Sequence, residues 1–177
     1  TLKDGNVKIR GSNIRFIFKG KKGVSHDISI KNRKLAEIVR HCKEIPGKDL
    51  FQYYDEKGEA QTITSGDVNE YIRQISGHDF TSKDFRTWAG TVECIRYFKR
   101  IGSDENNSSD KKKLVAALDH VAACLGNTRS VCKKYYIHPM ILESFEKGKL
   151  EKCLKKYPRS TKWMDAEEKV LIKMLER

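Results

Sequence analysis

An α+β chain, mainly helical, with a small antiparallel three-stranded sheet at its N-terminal end, is predicted by three observations. Before residue 31, apolar side chains recur at every second position in three short stretches. From about residue 34 onward they recur at helical spacing, and the stretches are bounded by glycines or by residues that cap helices. A period of two gives a strand one apolar face, whereas recurrence at three and four residues gives a helix one apolar stripe, so the two patterns are not interchangeable.

The strands come first. Val7 and Ile9, then Ile14, Phe16 and Phe18, then Val24, His26, Ile28 and Ile30 alternate with polar residues. Gly11-Ser12-Asn13 and Gly20-Lys21-Lys22-Gly23 supply the turns, which makes an antiparallel meander the simplest construction and puts two lysines at the tip of the second turn. A helix is predicted from about Lys34, using Leu35, Ile38 and Val39. Residues 50 to 54, LFQYY, fit either a small strand or a buried extended connection.

Ser65 opens a capping pattern before Val68, Tyr71, Ile72 and Ile75. Thr81 with Asp84 opens another before Phe85, Trp88, Ala89, Val92 and Ile95, so two amphipathic helices are expected. Residues 102 to 110, GSDENNSSD, read as a loop ending in good N-cap residues. Leu114, Val115, Leu118, Val121, Ala122 and Leu125 form the next helical face, which stops at Gly126, a residue suited to a left-handed terminus. A short helix from Val131 to Tyr136, another after Pro139, and a terminal one using Trp163, Val170, Leu171 and Leu175 complete the chain.

A length of 177 residues, 38% of them hydrophobic, fits one domain with a modest core. Within residues 1–177 the reading places a meander at 1–30, a helical part at 31–101, a loop at 102–110 and a second helical part at 111–177. The 36 Lys and Arg outweigh the 24 Asp and Glu, a formal charge of +12 that favours a polyanion, nucleic acid first of all. The excess is concentrated downstream of residue 110. No apolar run approaches the roughly 20 residues of a membrane span, and no cleavable leader is apparent, so a soluble, non-secreted protein is expected. Cysteines 42, 94, 124, 132 and 153 show neither a CxxC pair nor zinc spacing with histidine, and they read as reduced thiols with no metal role. Cys132 could be a catalytic thiol; a packing role is the commoner one.

The densest chemical signal is LGNTRSVCKKYY, residues 125 to 136, where an amide side chain stands nine residues before a tyrosine in a basic stretch without acidic residues. A tyrosine can hold a phosphodiester bond in covalent form, because its phenol, with an ordinary pKa of about 10, leaves again when a sugar hydroxyl returns. Such a reaction needs donors for the nonbridging oxygens and a proton for the departing sugar oxygen, and arginine and lysine supply these without a metal or other cofactor.

Together with FIFKGKKGVSHDISI (residues 16 to 30) and FTSKDFRTWAGT (residues 80 to 91), this segment resembles the catalytic domain of type IB DNA topoisomerases of the bacterial and poxvirus kind. The resemblance implies the fold that these enzymes share with tyrosine recombinases, in which the small sheet packs on a helical catalytic core. It also implies relaxation of supercoiled duplex DNA through a 3′-phosphotyrosine, without nucleotide or metal, by a monomer that is either cytoplasmic and nucleoid-associated or virus-encoded.

Residue by residue, it assigns Lys21 as the general acid, with Lys22 as its rival. Arg86 becomes the clamp on a nonbridging oxygen, Asn127 an amide donor to a phosphate oxygen, and Tyr136 the nucleophile, with Tyr135 adjacent. Lys22, Lys83, Arg129, Lys133 and Lys134 become DNA contacts. Arg129 stands where the family often has proline, and Lys83 stands where recombinases usually carry histidine. The family's further arginine and its clamp-closing domain lie N-terminal to the meander, so weak or no strand cleavage is expected of residues 1–177 alone. A tyrosine recombinase, or a non-catalytic DNA-binding module on the same scaffold, is the alternative.

Overall fold

The computed structural model describes residues 2–20, 23–102 and 109–176. They form two compact units, Thr1–Thr81 and Ser82–Arg177.

In the first unit a 3-10 turn at Asp4–Asn6 leads into β1 (Val7–Arg10), β2 (Asn13–Lys19) and β3 (Ser25–Lys31), an antiparallel sheet in sequence order. The register sets apolar residues opposite each other: Val7 faces Phe16, Ile9 faces Ile14, and Ile14 and Phe16 in turn face Ile30 and Ile28. The alternation therefore ends up on one face, and Val7, Ile14 and Phe16 build a core with Ala36, Val39 and Leu50. Gly11 takes φ 57° in the first turn, where an L side chain would be strained.

Asn32 caps α1 (Arg33–Glu44) by accepting from the Leu35 N–H at 3.0 Å. The buried side of α1 is Ala36 and Val39, while Leu35 and Ile38 are exposed. This corrects the predicted face by about a third of a turn: the methyl group of Ala36 lets the helix backbone approach the sheet more closely than the bulk of Leu35 would allow. LFQYY resolves into β4 (Gln52–Tyr54), paired with β5 (Ala60–Thr62). The intervening turn is tied by the Asp55 carboxylate, which accepts from the backbone N–H groups of Lys57 and Glu59. In α2 (Ser65–Ser76) the cap is Thr64, paired with Asp67 in a capping box, one residue before the Ser65 predicted. No residue of α2 is fully buried: of the expected apolar face Val68, Tyr71, Ile72 and Ile75, only Ile72 is half-buried and the other three are exposed.

The second unit is helical. It comprises α3 (Ser82–Ile101), α4 (Asp110–Leu125), α5 (Arg129–Tyr135), α6 (Pro139–Glu146), α7 (Lys149–Lys156) and α8 (Ala166–Leu175). The long α3 is the spine, packing against α4, α6 and α8. Its Val92, Ile95 and Phe98 meet Leu118 and Val121 of α4, Ile141 of α6, Leu150 of α7 and Val170 and Leu171 of α8 in one core. The Phe98 and Phe145 rings stack with centroids 3.9 Å apart.

Two corrections belong here. A separate α7 follows Gly148, whose φ of 64° ends α6, and no helix was predicted from its lysine-rich sequence. Trp163 lies outside α8 and is 85% exposed, so it takes no part in that helix's apolar face. What holds α8 to α3 at the rim is polar: Trp88 Nε1 donates to Glu168 Oε1 at 3.0 Å, Lys99 Nζ to Glu167 Oε1 at 2.6 Å, and Arg96 pairs with Asp165. The predicted class, α+β and mainly helical with a small antiparallel three-stranded sheet, is the one observed.

Candidate active site

The site is built where α4 ends. Gly126 takes the left-handed conformation (φ 61°, ψ 43°), its N–H bonding back to Ala122 and Ala123, and the chain reverses so that the Asn127 N–H reaches the Ala122 carbonyl at 2.9 Å. The reversal leaves the Leu125 carbonyl to accept from two side chains at once, Arg86 Nη2 at 2.9 Å and Asn127 Nδ2 at 3.0 Å. Thr128 then caps α5 by accepting from the Val131 N–H, and Tyr136 closes that helix through its N–H to Cys132.

One face of α3 grips the backbone after α5. Thr87 Oγ1 shares its one proton between the Lys83 carbonyl at 3.1 Å and the Tyr135 carbonyl at 3.2 Å. Thr91 Oγ1, buried, accepts from the His138 N–H at 3.0 Å and gives its own proton to Thr87 O at 2.7 Å. Between them sits Gly90, where a Cβ would stand 2.5 Å from the Tyr136 carbonyl oxygen and 3.0 Å from Leu125 Cδ1, so only glycine permits this approach. His138 caps α6, with Pro139 in its first turn.

These contacts bring Arg86, Asn127 and Tyr136 together. The Arg86 guanidinium carbon lies 4.9 Å from the Tyr136 ring centroid, while the same guanidinium shares an acceptor with Asn127. Tyr135 is the more exposed of the two tyrosines, and its ring is flanked by Lys83 Nζ at 5.6 Å and Lys134 Nζ at 5.2 Å. Lys133 and Lys134 occupy the exposed last turn of α5. Arg129 behaves differently, since Asp119 holds its guanidinium in a bidentate pair at 2.6 Å for both bonds, which raises the arginine above its ordinary value.

Lys21 and Lys22 lie outside the described residues. The backbone on either side of them is pinned by Gly20 N–H to Val24 O at 2.7 Å and Gly23 N–H to Gly20 O at 3.1 Å. Cys132 is fully enclosed, and burial pushes its thiol upward against the opposing effect of Arg86, so it is a packing residue rather than a thiolate. Thr87, Gly90 and Thr91 were not singled out in the sequence, although small residues at positions i, i+3 and i+4 of RTWAGT mark a face that admits another backbone.

Arginine and an amide converging on one oxygen are suited to an anion: they place two donors at one point, and a guanidinium carries five N–H groups of which Leu125 takes one. The Tyr136 ring lies beside that guanidinium, its centroid 4.9 Å from the guanidinium carbon.

A family model described as eukaryotic DNA topoisomerase I, catalytic core, matches residues 1–163. The chain belongs to the type IB DNA topoisomerase family. Over 153 residues it is also 31% identical to the DNA topoisomerase 1B of Acanthamoeba polyphaga mimivirus, an alignment that takes in 82% of this chain and 46% of that protein. The chain thus spans less than half the length of this topoisomerase relative. The family match runs from the meander to beyond α7 and so takes in Arg86, Asn127 and Tyr136. Among the described residues no helix is long and apolar enough to cross a membrane.

Proposed function

We propose that this chain carries the strand-cleaving centre of an enzyme that relaxes supercoiled duplex DNA, with Tyr136 as the nucleophile. The observation that supports it best is the single cluster in which Arg86 covers the Tyr136 ring and meets Asn127 at a shared oxygen. In the reaction the Tyr136 phenolic oxygen forms a bond to phosphorus, its proton passes to solvent, and the bond from phosphorus to the 5′ sugar oxygen breaks. That oxygen leaves with a proton from Lys21. The reverse reaction reseals the strand and restores the phenol.

Arg86 and Asn127 stabilise the two nonbridging oxygens, on which charge gathers in the pentavalent transition state. Family membership supports the roles of these residues, and the convergence of donors supports their geometry. The energy of the broken bond stays in the phosphotyrosine, so neither nucleotide nor metal enters the cycle. Lys83, Lys133 and Lys134 contact phosphates, and because phosphate contacts carry no sequence information, binding is nonspecific and steeply salt-dependent. The enzyme acts as a monomer.

Supercoiled plasmid, incubated with the full-length protein in EDTA without nucleotide, is expected to relax. Tyr136→Phe is expected to abolish relaxation and Tyr135→Phe to preserve it. Relaxation by Tyr136→Phe sinks the assignment.

A further inference from the structure

A second group of chemically active side chains lies on the side of α3 that faces α4. His120 and Cys124 stand four residues apart on α4 and so share one face, and Glu93 of α3 packs opposite them. Glu93 Oε1 is 2.8 Å from His120 Nε2, and Cys124 Sγ is 3.7 Å from the same nitrogen. All three donor atoms lie within 4.8 Å of one another. We propose that Glu93, His120 and Cys124 form a three-ligand site for a zinc-type divalent cation, clipping α3 to the last turn of α4.

The chemistry of the trio is the first argument. Thiolate, imidazole and carboxylate are zinc's own ligand types, and two anionic ligands with one neutral ligand balance a double charge. Distance is the second. With ligands at about 2.0 to 2.3 Å from a tetrahedral zinc, donor atoms are about 3.3 to 3.7 Å apart, so the sulfur-to-nitrogen spacing already fits and the carboxylate needs to retreat by under about 1 Å.

The third argument is the support around the ligands. Arg96 Nη1 donates to Glu93 Oε2 at 3.2 Å, which fixes the carboxylate and leaves Oε1 turned to the site. The Tyr97 ring lies 5.1 Å from the His120 ring, centroid to centroid, and orients the imidazole. Groups that hold ligands in this way are part of a working metal site. Cys124 is exposed, so the fourth position opens to solvent and water completes the coordination. Glu93 and His120 are separated by 27 residues, a spacing that no zinc pattern in sequence contains.

Metal binding and melting are read without DNA, so the test is independent of strand cleavage. Chelator-stripped protein titrated with cobalt(II) is expected to develop a saturable one-to-one thiolate-to-cobalt charge-transfer band that zinc displaces, and zinc is expected to raise the melting temperature where magnesium does not. Cys124→Ser and His120→Ala are each expected to lower affinity by about 10- to 100-fold or more. Cys42→Ser, at a half-exposed thiol of the other unit, leaves the band intact. Cys124 is exposed, so its serine variant folds even where the alanine variant at His120 does not. No saturable band up to about 1 mM cobalt, a regime of only about 4 kcal/mol of binding, overturns the proposal. So does a band that survives in Cys124→Ser; the trio is then a hydrogen-bonded cluster only.

Discussion

Gly90 brings α3 so close to the chain at Tyr136 that a single methyl group on it would stand 2.5 Å from the Tyr136 carbonyl oxygen. Because the obstacle is backbone, no rotamer change relieves it. Gly90→Ala is therefore expected to destabilise the protein despite alanine's better helix propensity, by about 1 to 3 kcal/mol for overpacking. Denaturant midpoints measure this, and a neutral or stabilised variant contradicts the close approach.

Thr91 holds the same segment by its hydroxyl. Thr91→Val keeps the shape but takes away the buried hydroxyl that accepts from the His138 N–H, a loss of about 1 to 3 kcal/mol. Thr91→Ser retains the hydroxyl and is expected to recover most of that stability. Equal losses in the two variants would locate the effect in the methyl group instead.

Arg86 is the residue where charge and geometry can be separated. Arg86→Lys preserves a cation but loses the planar fork that reaches Leu125 while covering Tyr136. Single-turnover cleavage is expected to fall by about 100- to 1,000-fold, the range seen when one preorganised donor to a developing oxyanion is removed. Wild-type cleavage by this variant would reduce Arg86 to a general electrostatic role.

Salt dependence distinguishes the basic residues. Replacing exposed Lys133 or Lys134 by alanine is expected to lower the slope of log binding constant against log salt by about 0.9 each, one phosphate contact apiece. Arg129→Ala is expected to change the slope less, because Asp119 already engages both edges of that guanidinium. Binding data across a salt series decide the order.

Acid tests the α3 to α8 rim. Burial, the largest single influence, pushes the Glu167 carboxyl upward, but the hydrogen bond from Lys99, a backbone hydrogen bond and the charges of Lys99 and Arg96 together outweigh it and leave the group below its ordinary value. A depressed carboxylate adds stability above its unfolded value, about 4.3, and that stability fades as pH falls through the lower folded value. Glu167→Gln is expected to be less stable than wild type near neutrality, with the gap closing in acid. A gap that widens in acid reverses the sign and refutes the pairing.

The strands and most of the helices were legible because their periods are local. Val7, Ile14 and Phe16 alternate within one turn of their partners in register, and Gly126 marks the end of α4 by the conformation it alone takes easily. Which face of a helix is buried depends on what it packs against. Ala36 displaced Leu35 from the core of the first unit, and no residue of α2 is fully buried. Of the candidate site, the family pattern pointed to Arg86, Asn127 and Tyr136, and these come together in space. The reach of Arg86 to the Leu125 carbonyl, the Gly90 approach and the Asp119 clamp on Arg129 were hidden, because each joins residues that are ten or more positions apart and of ordinary type.

The most direct measurement is to capture the broken strand. Duplex DNA labelled 5′ to a nick-flanked cleavage point, reacted with the full-length protein and then denatured, is expected to yield a covalent adduct whose peptide carries the nucleotide on Tyr136. An adduct on Tyr135, or strand cleavage with no protein attached, contradicts the account.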